Sequence, residues 1–94
     1  MAAASDRGVY AISVAAEMVS MEIQNLRVYE QRGLLTPART AGGSRRYSAD
    51  DVARLERIRD LLADGRNLAG IARVLALEAE VARLRARLDR KGSA

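Results

Sequence analysis

Between Gly33 and Gly43 the sequence carries its only proline, Pro37, and three of its seven glycines, and this cluster of breakers decides the architecture. A helix cannot run through Pro37, which lacks an amide donor and also pushes Thr36 toward extended backbone. Thr40-Ala41-Gly42-Gly43-Ser44 has the composition of a turn, and Arg45-Arg46-Tyr47 reads as short and extended. The segment predicts a small hairpin with Gly42 and Gly43 at its tip. On both sides of it, apolar residues recur at helical spacing.

Ahead of the hairpin, Ile12, Ala15, Ala16 and Val19 form one apolar stripe, with Ser13 as the expected helix cap. After a break at Ser20-Met21, a second helix is predicted from Ile23 to Arg32. It ends at Gly33, where a glycine takes the left-handed conformation without penalty. Its apolar positions are Ile23, Leu26 and Tyr29 or Val28, and Met21 can staple onto Leu26 across an N-cap at Glu22. Two short helices joined by a short turn make a helix-turn-helix, and the hairpin behind them makes a wing.

Beyond the hairpin, Ser48 and Asp51 have capping-box spacing and open a third helix. Its buried face is marked by Val52, Leu55, Ile58, Leu61 and Leu62, and Gly65 ends it. Asn67 caps a fourth helix beginning at Leu68, Ile71, Val74 and Leu75. Further on, Leu77, Val81, Leu84 and Leu88 recur at spacings of four, three and four residues, an a/d seam flanked by charges. So short a seam is marginal alone and requires a partner surface, either the chain's own domain or a second copy. The organisation expected is mainly α. Residues 1–9 form a flexible tail, 10–75 a winged helix-turn-helix domain, 76–91 a dimerisation helix and 92–94 a further tail.

Composition narrows the function. The 94 residues include no cysteine and no histidine. That removes disulfides, thiolate nucleophiles, zinc ribbons and imidazole bases, so an enzyme is not expected, nor a metal or cofactor. Neither an export signal nor an apolar run of membrane-spanning length is present, which predicts a cytoplasmic protein. The net charge is +4, and the segment from Ile23 to Tyr47 alone sets five arginines against one acid, Glu30. Such a focused patch attracts a polyanion.

Taken in order, Ile12-Ser13-Val14-Ala15-Ala16, then Leu26-Arg27-Val28-Tyr29-Glu30-Gln31-Arg32-Gly33-Leu34-Leu35, then Pro37 and Arg39, then Gly43-Ser44-Arg45-Arg46-Tyr47-Ser48 with Asp51-Val52, resemble the MerR-type winged-helix regulators. Arg39-Thr40-Ala41-Gly42-Gly43 and Asn67-Leu68-Ala69-Gly70-Ile71 are similar to the heat-shock repressor branch. The resemblance implies a homodimer joined by an antiparallel coiled coil and bound to an inverted repeat in double-stranded DNA. It places the second helix of each copy in a major groove and each wing on the flanking backbone or minor groove. It further implies a nucleoid-associated repressor of stress or chaperone genes, with a chaperone as co-repressor. The chain ends shortly after the coiled coil, so no small-molecule effector domain is expected. Glu22, Ile23 and Val28 depart from the family pattern.

The candidate DNA-binding residues are Gln24, Asn25, Arg27, Tyr29, Arg32, Arg39, Gly42, Gly43, Arg45 and Arg46. Gln24 and Arg27 are expected at base edges and Asn25 at an adenine or a phosphate. Arg39 and Arg45 on the wing are expected at phosphates or in the minor groove, and the resemblance puts the Tyr29 hydroxyl on a phosphate as well. A core role for Tyr29 fits the residues equally, and Tyr47 is expected to pack the hairpin on the third helix. Leu77, Val81, Leu84 and Leu88 are the dimerisation residues. Two rival readings are an architectural, excisionase-like DNA-bending protein and a protein-interaction adaptor using the C-terminal helix.

Overall fold

The structure, a computed structural model, describes residues 4–92. Its elements are α1 (Ile12–Val19), α2 (Ile23–Gln31), β1 (Ala38–Arg39), β2 (Arg45–Arg46), α3 (Ala49–Ala63) and α4 (Leu68–Gly92). This is the expected winged helix-turn-helix with a long C-terminal helix.

Three helices stop in the same way. The backbone turns left-handed at Ser20 (φ 56°), Gly33 (φ 75°) and Gly65 (φ 84°). The next amide then reaches back five residues, from Met21 to Ala16, Leu34 to Tyr29 and Arg66 to Leu61. This is the Schellman arrangement, which satisfies carbonyls that the last turn would orphan. Helix starts are more varied. The Ser48–Asp51 capping box forms with both bonds at 2.9 Å, and Asp50 and Asp51 lie at the favourable end of the α3 dipole. Asn67 accepts from the Gly70 amide at 2.8 Å and so caps α4. Ser13 does not cap α1: the N-cap is Ala11, with extended backbone and no side-chain bond, because helical geometry already begins at Ile12.

The core joins Val19, Leu26, Leu34, Tyr47, Leu55, Ile58 and Ile71, so every helix and the hairpin contribute. Tyr47 is fully buried in one cluster with Val52 and Leu55, as expected of a residue seating the wing on α3. Ile23, counted from sequence with the apolar face of α2, is instead 36% exposed. It shares the outward face with Arg27 four residues on. Two α3 arginines tie the layers together: Arg59 donates to the Val19 carbonyl at 2.9 Å, and Arg54 Nε to the Leu34 carbonyl.

The expected N-terminal tail is not loose from Ser5 onward. The amides of Val9 and Tyr10 both donate to the Tyr47 carbonyl (3.0 and 2.9 Å), and Tyr47 returns its amide to Tyr10 at 2.7 Å. Ser5 accepts from the Asp50 amide at 2.9 Å. Unpaired backbone groups just past β2, and an orphan amide in the first turn of α3, draw this segment in as a strap. The portions of the two expected tails at 1–3 and 93–94 lie outside the described residues, and Gly92 is the last residue of α4.

The fourth helix runs unbroken from the core into solvent. The radius of gyration is 15.0 Å, against about 12 Å for a compact chain of this length. Ile71 and Leu75 are buried, and no described residue beyond Leu75 is. The helix therefore does not fold back on its own domain. Leu77, Val81, Leu84 and Leu88 stay 50%, 44%, 47% and 68% exposed. Its angle is braced by Arg57 of α3, whose guanidinium grips Glu78 through Nε at 3.1 Å and Nη2 at 2.7 Å.

Candidate nucleic-acid interface

The second helix of the helix-turn-helix buries Leu26 and Tyr29, half-buries Val28 and Glu30, and turns its other residues outward. At about 100° per residue, Gln24, Arg27 and Gln31 fall on one exposed stripe, and Asn25 and Arg32 along another edge. All five are exposed, and none makes a side-chain hydrogen bond or ion pair among the described residues. Gln31 was not among the residues expected from sequence, although its i+4 spacing from Arg27 carries that signal. The α2 N-cap, Glu22, makes no side-chain cap bond. The Tyr29 ring is buried, and burial raises its hydroxyl pKa, so it remains a neutral donor.

The wing pairs Ala38 with Arg46 and Arg39 with Arg45. Side chains alternate along a strand, so Arg39 and Arg45 share one face and Arg46 takes the other. The first face looks onto α2. Arg39 Nη2 meets Glu30 Oε2 at 2.7 Å, and Arg45 Nε meets Glu30 Oε1. Burial works to raise the Glu30 pKa, but the hydrogen bond and charge of Arg45, with those of Arg39, outweigh it and hold the carboxyl below its ordinary value. The hydrogen bond to Glu30 correspondingly raises Arg45. Arg39 Nη1 also donates to the Gly43 carbonyl at 3.1 Å, tightening the turn. Within the tip only Gly43 has positive φ (87°). Gly42 supplies exposure and absence of bulk, not a left-handed turn.

Arg46 stands on the reverse of the wing, donating to the Arg45 carbonyl at 3.0 Å while the strap crosses beside it. A Cβ built on Gly8 would lie 2.8 Å from the Arg46 carbonyl oxygen and 3.0 Å from the Ala38 Cβ. The structure therefore brings Arg39 and Arg45 together on Glu30, while Arg27 is exposed on α2 three residues before that acid. Arg32 lies along another edge of α2 and Arg46 on the opposite face of the hairpin. Glu30, which joins the two wing arginines, is the residue that sequence reasoning missed, since there it figured only as one negative charge. Tyr47 Oη, fully buried, has no hydrogen-bond partner among the described residues. Burial chiefly, and then the Glu30 charge, raise its pKa.

No helix among the described residues is long and apolar enough to cross a membrane. The family model described as MerR HTH family regulatory protein matches residues 10–78. The heat shock protein HspR of Streptomyces coelicolor is 51% identical over 83 residues, spanning 87% of this chain and 55% of that protein. Among solved structures, the N-terminal part of MtaN, the Bacillus subtilis multidrug transporter activator, superposes with a TM-score of 0.68 at 28% identity, covering 90% of each chain. HiNmlR, a MerR family regulator lacking the sensor domain and bound to promoter DNA, does so with a TM-score of 0.65 at 26% identity, over 85% of this chain and 78% of its own. The chain spans about half the length of the curated relatives it matches.

Proposed function

The chain belongs to the MerR family of helix-turn-helix regulatory proteins, and from that premise we propose that it is a sequence-specific, double-stranded DNA-binding transcriptional regulator acting as a homodimer on an inverted repeat. The observation that carries this is the exposed, unengaged polar face of α2 lying beside a wing whose two arginines point to the same side. Gln24 and Arg27 read base edges in the major groove, where an arginine forms bidentate bonds to guanine. Asn25 and Arg32 flank them. Arg39 and Arg45 meet phosphates beside the groove, the Gly42-Gly43 tip letting the backbone come close, and Tyr29 seats the helix from below with its hydroxyl toward the same strand. Arg46 serves the wing from behind.

Two copies pair through Leu77, Val81, Leu84 and Leu88, the apolar stripe that one copy leaves in water. An isologous pairing repeats the DNA-binding face about a two-fold axis, which is what an inverted repeat matches. The similarity to HspR supports repression of stress or chaperone genes, with a chaperone as co-repressor, in the cytoplasm at the nucleoid. The test is selection of duplexes by the purified chain from a randomised pool, followed by footprinting and sedimentation. A discrete palindrome protected by a dimer supports the proposal. Phased spreading without a motif favours an architectural role, and absence of any duplex binding with retained protein capture favours an adaptor.

A further inference from the structure

Glu30 places a carboxylate on the side of the molecule that is otherwise prepared for a polyanion. Its two oxygens are both engaged, one by each wing arginine, and those arginines come from opposite strands of the hairpin. One side chain thus joins β1, β2 and α2. Of the five N–H groups of a guanidinium, Arg45 spends only Nε on Glu30, and its terminal nitrogens have no partner among the described residues. Arg39 keeps a side chain that is 47% exposed, against 17% for Glu30. Arg45, at 24%, is nearly as covered as the acid, so of the two guanidinium groups it is that of Arg39 that stands outward.

We propose that Glu30 is a specificity-determining positioning residue. It locks the wing to the recognition helix in one register, and it lowers the charge with which the wing can hold any duplex indiscriminately. The inference rests on the DNA-binding reading above. A free pair of arginines on a two-stranded hairpin would follow phosphates wherever they lay, because backbone contacts carry no sequence information. Latched to α2, the same pair meets phosphates in register only when the helix is seated in its own groove. Fixing a binding element in advance lowers the ordering cost for the matched partner, while the negative charge penalises every partner alike.

The experiment compares wild type, Glu30→Gln and Glu30→Asp on two probes: a duplex selected by the wild-type chain from a randomised pool, and a shuffled duplex of equal length. Glu30→Gln removes the charge. Its binding to the shuffled duplex should strengthen at low salt, and the slope of log K against log salt should steepen by about 0.9, which is about 3.5-fold more loss over a fourfold salt increase. Its preference for the selected duplex should fall about tenfold. Glu30→Asp keeps the charge but shortens the reach, so preference should fall while the slope stays at the wild-type value. Parallel weakening on both probes with an unchanged slope would reduce Glu30 to a structural role and overturn the proposal, as would Glu30→Asp matching wild type. Should Glu30→Gln fail to fold, the Glu30→Asp ratio decides. A wild type with no salt-dependent affinity for either probe overturns the DNA-binding reading itself, and this proposal with it.

Discussion

Ser20 is the only described non-glycine residue with positive φ, at φ 56° and ψ 46°. Replacing it with glycine isolates what that conformation costs. The side chain is exposed and makes no hydrogen bond, so its removal deletes no contact. The bond from the Ser20 amide to Glu17 at 3.2 Å and from Met21 to Ala16 at 3.0 Å involve backbone alone and persist. A left-handed conformation costs an L-residue about 1–2 kcal/mol, and the extra freedom of glycine in the unfolded chain returns about 0.5–1 kcal/mol. The expected net stabilisation is about 0.5–1 kcal/mol, which raises Tm by about 2–8 °C in a domain of this size. Gly33→Ser is the mirror experiment. A Cβ at Gly33 meets no atom within 4 Å, so its only penalty is the backbone at φ 75°, and Tm should fall by a similar interval. Calorimetry at one fixed protein concentration measures both, since self-association would make Tm concentration-dependent. A Ser20→Gly variant less stable than wild type, or a Gly33→Ser variant equal to it, would refute the account of these helix ends.

Three other outcomes are expected. Leu84 is 47% exposed in the single chain, so pairing buries about half of a side chain whose full burial contributes about 1.5–3 kcal/mol. Leu84→Glu forfeits this in both copies and should shift sedimentation from dimer to monomer, which a monomeric wild type at tens of micromolar would contradict. Gly8→Ala forces a methyl against the Arg46 backbone and should cost about 1–3 kcal/mol, with the Val9 and Tyr10 amides exchanging faster; unchanged exchange would refute the strap. The hydrogen bond from Arg57 lowers the Glu78 pKa, burial only partly opposing it. A depressed folded pKa contributes stability above the ordinary carboxylate value and loses it as pH falls through the folded one. The Tm gap between wild type and Glu78→Gln should therefore close on acidification from pH 6 to about pH 3, and a gap independent of pH would dissociate the brace from Glu78.

What could be read from the sequence was local. Gly33, Pro37, Gly43 and Gly65 mark breaks because each acts on its own backbone, and the Ser48–Asp51 and Asn67 caps close within three residues. Gln24 and Arg27 are picked out by their place in the N-terminal half of the second helix, and both are exposed. What was missed depends on chain segments meeting at a distance. The strap at 5–10 forms because Tyr47 and Asp50 offer backbone groups some forty residues away, and nothing in its small, polar composition announces this. Glu30 gains its meaning from arginines nine and fifteen positions on. Arg54 and Arg59 look like solvated charges until α3 lies against the Leu34 and Val19 carbonyls. Ile23 misled because an apolar residue at a helix start can belong to either face.

The fourth helix is a rigid lever with its fulcrum inside the domain. Ile71 and Leu75 anchor one end in the core, and the same unbroken backbone carries Leu84 and Leu88 far outside it. The free portion, 76–92, is about 25 Å long at 1.5 Å per residue, so a 5° tilt at the anchored end swings the far tip by about 2 Å. Motion imposed at the tip returns to the core by the same geometry. Whatever grasps the distal end therefore acts on the core through α3, the helix on which α4 is braced.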